Sequence, residues 1–274
     1  FGGVVPEIAT RGLHGPDRGL AHAIAAEVLR RLPDLDALID SATRQKLPDD
    51  AKARMALRVA LAQALGLGTP PHAAIATALP LVDGGPRKLV HGVFGTLMRE
   101  GAAMPELPTL PAEAAMRGLA AWGPETAEGA ALAIAAPPPV DLTLADPNGT
   151  AEWAERLGAT SLMPGQLRLP AEHHPIVDLP GFTEGAWWVQ DVAASIPARL
   201  LAGAGHNVID LCAAPGGKTL QLAAQGKRVT AVDVSESRLA RLHDNLARTR
   251  LSAEVMRADV LDWQPQEPAD AVLV

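Results

Sequence analysis

Residues 208–219 read Val-Ile-Asp-Leu-Cys-Ala-Ala-Pro-Gly-Gly-Lys-Thr, an apolar strand that runs into a glycine turn and then into a helix. At Gly216 and Gly217 the lack of a Cβ lets a ligand approach the backbone, and the helix that begins there presents free N–H groups to it. This stretch therefore predicts a nucleotide-type binding site at the end of a strand in an α/β domain.

Strand-like and helix-like segments alternate from His206 onward. We expect helices over 216–226 and 235–249, and strands over 206–212, 228–232, 253–257 and 270–274. Such alternation predicts right-handed βαβ units in a parallel sheet. A doubly wound sheet normally has more strands than these, so we expect the chain to be cut through its own α/β domain.

Two acidic residues follow the next strands of this predicted sheet. Asp233 ends the second strand, where a carboxylate can accept hydrogen bonds from ribose hydroxyls, and Asp259 follows the third strand, where a polar group suits an adenine edge. Gly217-Lys218-Thr219 also fits the end of a phosphate-binding Walker A loop, but Cys212 occupies the position of that motif's first glycine. A nucleoside triphosphate site is thus disfavoured and stays an alternative.

The chain before these segments divides into a helical part and a small mixed part. Apolar residues recur at helical spacing from Asp17 to about Met98, and a helical connector is expected over 111–136. Within the helix expected from Arg87 to Met98, one apolar stripe is predicted, which consists of Leu89, Val90, Val93, Phe94 and Leu97. Pro137-Pro138-Pro139 marks a boundary. After it we expect a strand over 140–144, a short helix over 151–157, and short strands over 160–179 that are broken by Pro164-Gly165 and Pro170. We therefore predict three domains, with the boundaries 1–136, 137–200 and 201–274.

Composition limits the classes of protein that remain. The 274 residues are 48% apolar and carry a net charge of −7, with 13 basic and 12 acidic residues in 1–120 but 11 and 19 in 121–274. A single cysteine rules out an internal disulfide, the histidines show no metal-binding spacing, and apolar stretches stop well short of the ~20 residues of a membrane span. We expect a cytoplasmic monomer without a metal or a membrane partner.

The motif at 210–219 resembles the first motif of the NOL/NOP/Sun family of RNA cytosine-5 methyltransferases, and most closely its bacterial 16S rRNA branch. Pro180-Gly181-Phe182, followed by the stretch at 185–191 that reads Gly-Ala-Trp-Trp-Val-Gln-Asp, supports this resemblance. The stretches at 69–75 and 88–94 resemble the NusB-like helical RNA-binding domain that precedes the catalytic domain in that branch.

The resemblance implies a multidomain fold: an all-α NusB-like bundle, a small α/β linker subdomain, and a truncated Rossmann-like α/β methyltransferase domain. It implies S-adenosyl-L-methionine as cofactor and 16S ribosomal RNA as partner. By the family's pattern Asp233 binds the ribose and Asp259 the adenine, while the methionine part is held by Cys212, Ala213, Ala214, Pro215, Gly216, Gly217 and Lys218.

Catalysis in this family needs residues that the sequence does not contain. Family members add a cysteine thiolate to carbon 6 of cytosine, and they carry it in Pro-Cys and Thr-Cys motifs that are absent from residues 1–274. Cys212 lies in the predicted cofactor loop, so we assign no catalytic residue. The alternative is a non-catalytic module with a degenerate methyltransferase fold that binds RNA or protein.

Three smaller expectations concern individual pairs of residues. One ring of the pair Trp187 and Trp188 is expected in the core and the other in solvent, and His173-His174 is expected to be a solvated turn rather than a metal pair. In the helical part, the doublets that could contact phosphates are Arg30-Arg31 and Arg87-Lys88.

Overall fold

The structure is a computed structural model that describes Thr10 and residues 12–274. Residues 1–9 and 11, at the start of the predicted first domain, lie outside the described residues. The chain separates into two compact units, Phe1–Pro138 and Pro139–Val274. The second unit contains the predicted small α/β subdomain together with the predicted Rossmann-like domain.

The described part of the first unit is helical, as the apolar periodicity predicts. A proline in the first turn starts several of its helices, where the missing N–H costs no hydrogen bond. The helices are α1 Gly15–Arg30, α2 Leu32–Ser41, α3 Lys52–Leu61, α4 Pro71–Ala78, α5 Gly84–Arg99, α6 Ala112–Trp122 and α7 Pro124–Ala135. Within the described residues, no helix combines the length and apolar character that crossing a bilayer requires.

Helix α3 lies at the centre of the first unit. Leu57 and Leu61 on this helix are fully buried, and they belong to one core cluster with Leu35 and Ile39 of α2. The apolar stripe predicted on α5 is confirmed by its four buried members, which are Val90, Val93, Phe94 and Leu97. Leu89 was expected on the same stripe but is 38% exposed.

Two arginines of α3 are part of this core rather than of its surface. Arg54 is fully buried and donates to Asp36 at 2.9 Å and to Asp40, while Arg58 donates to both oxygens of Asp36 at 2.7 Å. Burial alone would raise the pKa of Asp36, but hydrogen bonds and charges from Arg58 and Arg54 lower that pKa below its usual value. These cations therefore stabilise the helix packing and are not free to bind a ligand.

The second unit begins with an antiparallel sheet. Its strands are β1 Asp141–Leu144, β2 Thr160–Met163, β3 Gln166–Arg168 and β4 Trp187–Val189, in the spatial order β2-β3-β1-β4, with helix α8 Thr150–Leu157 between β1 and β2. Asp141 pairs across the sheet with Arg168, which donates to its two carboxylate oxygens at 2.7 and 3.0 Å. These hydrogen bonds lower the pKa of Asp141 below its usual value, and they outweigh burial, which alone would raise that pKa.

The parallel sheet follows helix α9 Val192–Leu200. Its strands are β5 Asn207–Leu211, β6 Arg228–Asp233, β7 Glu254–Arg257 and β8 Ala271–Leu273, in the order β7-β6-β5-β8. Helices α10 Gly217–Ala224 and α11 Glu236–Thr249 connect the first three strands. Because the strand order reverses at β5, the carboxyl end of β5 is the place where open α/β sheets bind ligands.

Strand β4 contributes to two of the core clusters of the second unit. Trp187 packs with Leu142 and Leu167 in one cluster, and Trp188 packs with Leu220 and Leu242 in another. Successive residues of a strand point to opposite faces, and both faces of β4 are covered here. The prediction that one of these two rings is exposed is therefore wrong, because both tryptophans are buried.

The segments after residue 206 were predicted more accurately than those before it. All six predicted strands and helices from 206 to 274 are confirmed, with ends that differ by one or two residues. Strands are also confirmed over 160–163 and 166–168, but the strand expected after Pro170 is wrong. That segment contains a single 3-10 turn at Ile176–Asp178, in a stretch interrupted by prolines.

Candidate functional site

The turn between β5 and α10 is held in a conformation that only glycine adopts readily. Gly216 has φ +110°, and a Cβ placed there would lie 2.3 Å from Cδ1 of the buried Leu242. Cys212, at the other end of the turn, has φ +60° and is exposed. The turn thus packs tightly against α11 on one side and leaves its opposite side open.

The amino end of α10 has free backbone donors. No side chain caps this helix, and Leu220 is the first residue in it whose N–H bonds back, to the carbonyl oxygen of Gly216 at 2.8 Å. The N–H groups before it have no acceptor within the helix, and the helix dipole adds partial positive charge at the same place. Gly217 and Lys218 are half-buried there, so this end of the helix can receive an anionic group.

Asp233 is linked directly to the glycine turn. Its carboxylate accepts a hydrogen bond from the backbone N–H of Ala214 at 3.1 Å and another from that of Ser235 at 2.9 Å, and Arg238 lies 3.5 Å away. A carboxylate has about four acceptor positions, so two hydrogen bonds leave room for the hydroxyl groups of a ligand. Since Arg238 also donates to the carbonyl oxygen of Ala214, its side chain covers this carboxylate and must move before a ligand can reach it.

The third strand end lies beside the second. Arg257 is the register partner of Asp233, and the N–H of Ala258 donates to the carbonyl oxygen of Asp233 at 3.2 Å. Asp259 follows immediately and is exposed, with one carboxylate oxygen accepting the N–H of Leu261 at 3.0 Å. The structure therefore brings the turn, Asp233 and Asp259 to one edge of the sheet, where the sequence analysis expected them.

Asp210 lies directly before the glycine turn and was not predicted as a site residue. It is fully buried in β5, and Thr219 on α10 donates to one of its carboxylate oxygens at 2.6 Å, while the other oxygen has no hydrogen-bond partner among the described residues. Burial raises the pKa of Asp210, against the smaller effects of the Thr219 hydrogen bond and the Lys218 charge. The available signal was an aspartate inside an otherwise apolar strand.

The raised pKa of Asp210 predicts how the unfolding free energy depends on pH. Between the ordinary pKa of 3.8, which applies to the unfolded state, and the higher pKa of Asp210 in the folded state, the folded protein binds more protons than the unfolded one. The contribution of this group to stability is therefore lost as the pH rises through that range. Asp210→Asn removes this titration. We expect the variant's unfolding free energy, relative to that of the unaltered chain, to increase from about pH 4 to about pH 7 in urea titrations. Parallel pH curves for the two proteins would contradict this assignment.

A buried amide network fixes the position of α10. Gln190, which follows β4, accepts from the indole N–H of Trp188 at 2.8 Å and donates to the side chain of Gln221 on α10 at 3.2 Å. Gln221 in turn donates to the carbonyl oxygen of Ser195 on α9 at 3.0 Å. This network was not predicted from the sequence, because none of its members lies in the glycine motif. It ties the carboxyl end of the antiparallel part to the helix that follows the glycine turn.

A parallel sheet in this order, with a glycine turn after its first strand and acids after the next two, defines a Rossmann-like α/β domain of the class that includes methyltransferases. Residues 199–274 match the family model for 16S rRNA methyltransferase RsmB/F, and residues 4–98 match that of the NusB family. Residues 199–274 therefore belong to the 16S rRNA methyltransferase RsmB/F family, and a NusB-family region precedes them.

Individual proteins named as ribosomal RNA methyltransferases are similar to this chain along most of its length. A ribosomal RNA small subunit methyltransferase B from Xylella fastidiosa (strain Temecula1 / ATCC 700964) is 34% identical over 283 residues, covering 94% of this chain and 64% of the relative. A protein of the same name from Pseudomonas syringae pv. tomato is 31% identical over 284 residues, covering 94% and 63%. The chain therefore spans less than two thirds of these curated relatives.

A solved structure is similar in fold. The crystal structure of PH0851 matches with a TM-score of 0.63 at 19% identity, covering 92% of this chain and 63% of that one. At this identity the likeness supports the fold alone. It agrees with the multidomain architecture expected from the sequence.

Proposed function

We propose that this chain is the cofactor-binding part of an S-adenosyl-L-methionine-dependent methyltransferase that acts on cytosine carbon 5 in 16S ribosomal RNA. The observation that carries the proposal is the hydrogen bond between the carboxylate of Asp233 and the N–H of Ala214. This bond holds the Asp233 carboxylate against the glycine turn at the carboxyl edge of a parallel sheet, which supports its proposed role as the acceptor for ribose hydroxyls. An rRNA substrate also places the reaction in the cytoplasm.

The residues at this edge fit the parts of the cofactor. The free N–H groups at the start of α10 suit the carboxylate of its methionine part, and the segment Cys212–Lys218 supplies the surrounding wall. Asp233 has acceptor positions left for the ribose hydroxyls, and the exposed carboxylate of Asp259 suits the exocyclic amine of the adenine. The bound cofactor supplies an activated methyl group on a sulfonium.

The chain's own residues contribute binding and orientation. Asp210 and Thr219 fix the first turn of α10 to β5 through their buried hydrogen bond, and Gln190 holds the same helix from the other side. We assign no nucleophile among residues 1–274, because Cys212 lies in the turn that would face the cofactor. The predicted boundaries 1–136, 137–200 and 201–274 separate RNA binding, connection and cofactor binding.

Calorimetric titration of the chain with S-adenosylhomocysteine and with ATP tests the proposal. We expect a dissociation constant for S-adenosylhomocysteine in the micromolar range and no heat of binding for ATP, because Cys212 replaces the first glycine that a phosphate-binding loop needs. Binding of ATP without S-adenosylhomocysteine would replace the proposed function with nucleoside triphosphate binding.

A further inference from the structure

The structure distinguishes the two basic doublets of the first unit. Arg30 pairs with Glu27 at 2.5 Å, and Arg31 lies 3.4 Å from Asp34 while donating to the carbonyl oxygen of Pro105 at 2.9 Å. Both arginines therefore have intramolecular partners, and Arg31 is 9% exposed. This doublet holds α1 to its neighbours and offers little charge to an external ligand.

The doublet Arg87-Lys88, in contrast, is exposed and has no acidic partner among the described residues. Both side chains are exposed in the first turns of α5, and neither forms an ion pair with any described residue. The same holds for Arg44, which follows α2, and for Arg99, whose guanidinium donates to the hydroxyl of Thr96 at 3.1 Å. With His91 these cations form the α5 basic surface, which consists of Arg44, Arg87, Lys88, His91 and Arg99.

These five residues share one concave face. Arg44, Lys88, His91 and Arg99 line a groove between α5 and the segment after α2, and Arg87 lines an adjoining hollow that Lys88 and His91 also border. Lys88, His91 and Arg99 recur at the spacing that puts residues on one side of a helix. The side chains that line the groove and the hollow include no carboxylate. Asp83 and Glu100 are exposed at the two ends of α5, outside this lining.

The dimensions and polar groups of the surface favour a nucleic acid backbone as the ligand. Arg87 and Arg99 are twelve residues apart, which is about 18 Å along a helix, so the surface is long enough to contact several successive phosphates of one strand. Thr43, Gln45 and Thr96 line the same groove and carry the hydroxyl and amide groups that commonly bind phosphate and sugar oxygens. Such a row of unpaired cations stands out in a chain whose net charge is −7.

We propose that the α5 basic surface binds the phosphate backbone of the RNA substrate and so positions that RNA on the first unit. This inference rests on the proposed function and adds to it the surface that holds the substrate. The contacts are with phosphates, so they contribute affinity and orientation rather than recognition of a particular cytosine.

The test is a double charge reversal, Arg87→Glu with Lys88→Glu, in the full chain. Binding to a labelled oligocytidylate is measured by fluorescence anisotropy over a series of salt concentrations. We expect binding at low salt to weaken about tenfold or more, and the slope of log K against log salt to fall by about two, one for each lost phosphate contact. Glutamate near the start of α5 suits the helix dipole, so the helix is expected to stay folded, which circular dichroism checks.

Arg18→Glu with Lys52→Glu is the matched control. Both residues are exposed cations of the first unit without an ion pair among the described residues, and Arg18 is the fourth residue of α1 as Arg87 is of α5. The control should keep the RNA affinity within about twofold. Equal weakening in both double variants would overturn the proposal, because net charge alone would then explain the binding.

Two further outcomes also overturn it. If poly-L-glutamate competed as effectively as unlabelled RNA, the ligand of this surface would be an acidic protein rather than RNA. If the unaltered chain showed no salt-sensitive binding of RNA, the α5 basic surface would have no RNA-binding role. Titration with S-adenosylhomocysteine reports the proposed function separately. Retained cofactor binding with unchanged RNA affinity in Arg87→Glu with Lys88→Glu would refute the surface and leave the proposed function in place.

Discussion

Gly216→Ala is expected to lower the unfolding free energy of the second unit by about 2–6 kcal/mol. The backbone at Gly216 has φ +110°, a conformation that costs an alanine about 1–3 kcal/mol. The added Cβ would also lie 2.3 Å from Cδ1 of the fully buried Leu242, so this side chain would have to shift within the core. Overpacking of this kind costs about 1–3 kcal/mol more. Urea denaturation followed by circular dichroism measures the change.

Gly217→Ala is the matched control for this prediction. Gly217 has no positive φ, and a Cβ there would be 3.4 Å from the side chain of Gln190, an ordinary contact distance. Alanine is also a better helix former than glycine in the first turn of α10. We expect the unfolding free energy of this variant to change by less than about 1 kcal/mol. Similar losses for the two variants would show that the turn does not have the conformation described.

Asp233→Ala is expected to weaken binding of S-adenosylhomocysteine about 10- to 150-fold. Hydrogen bonds to a charged acceptor contribute about 1.5–3 kcal/mol, and this range converts to that factor in the dissociation constant. The substitution also removes the acceptor for the N–H of Ala214, so the turn loses a restraint at the same time. Asp233→Asn keeps one side-chain oxygen and should fall between the unaltered chain and the alanine variant in calorimetric titration.

Asp262→Ala provides a matched control for the loss of an acid. Asp262 is exposed and lies near the same strand end, three residues beyond Asp259. Its carboxylate takes no part in the contacts of the turn, so we expect affinity for S-adenosylhomocysteine within about twofold of the unaltered chain. If Asp262→Ala weakened binding as strongly as Asp233→Ala, the ribose assignment of Asp233 would be wrong.

The part of the fold after residue 206 could be predicted because its local signals all agree. Apolar strands alternate with amphipathic helices, and a glycine turn marks the first strand end, so periodicity and turn chemistry give the same answer. Asp233 and Asp259 follow from this pattern alone, since the carboxyl ends of parallel strands meet at one edge. Their placement beside the turn needed no knowledge of the packing.

The antiparallel part was harder to predict because packing decides its structure. Strand β4 has three residues, and both of its faces are buried, so it lacks the alternation of polar and apolar residues by which short strands are recognised. The same burial explains the wrong expectation for Trp187 and Trp188. Helix α9 contains Pro197 in its interior, a residue that argues against a helix in a sequence taken by itself.

The side-chain contacts between helices and strands could not be predicted from the sequence either. The network of Gln190 and Gln221 joins residues 31 positions apart, and the pairing of Arg54 with Asp36 distinguishes a core cation from a surface one. The sequence alone could not show which doublet of the first unit binds phosphate, since Arg30-Arg31 and Arg87-Lys88 have the same charge. The positions of Glu27 and Asp34 show that the first doublet has acidic partners, whereas the second has none in the part of the chain that the structure describes.

Amide hydrogen exchange with and without S-adenosylhomocysteine tests most directly whether the turn and the two strand ends hold one adenosyl ligand. We expect the ligand to slow exchange in three separate segments at once, residues 212–219, 233–238 and 257–262, because each supplies part of the same edge of the sheet. Protection of the turn alone, or protection confined to segments away from this edge, would contradict the account.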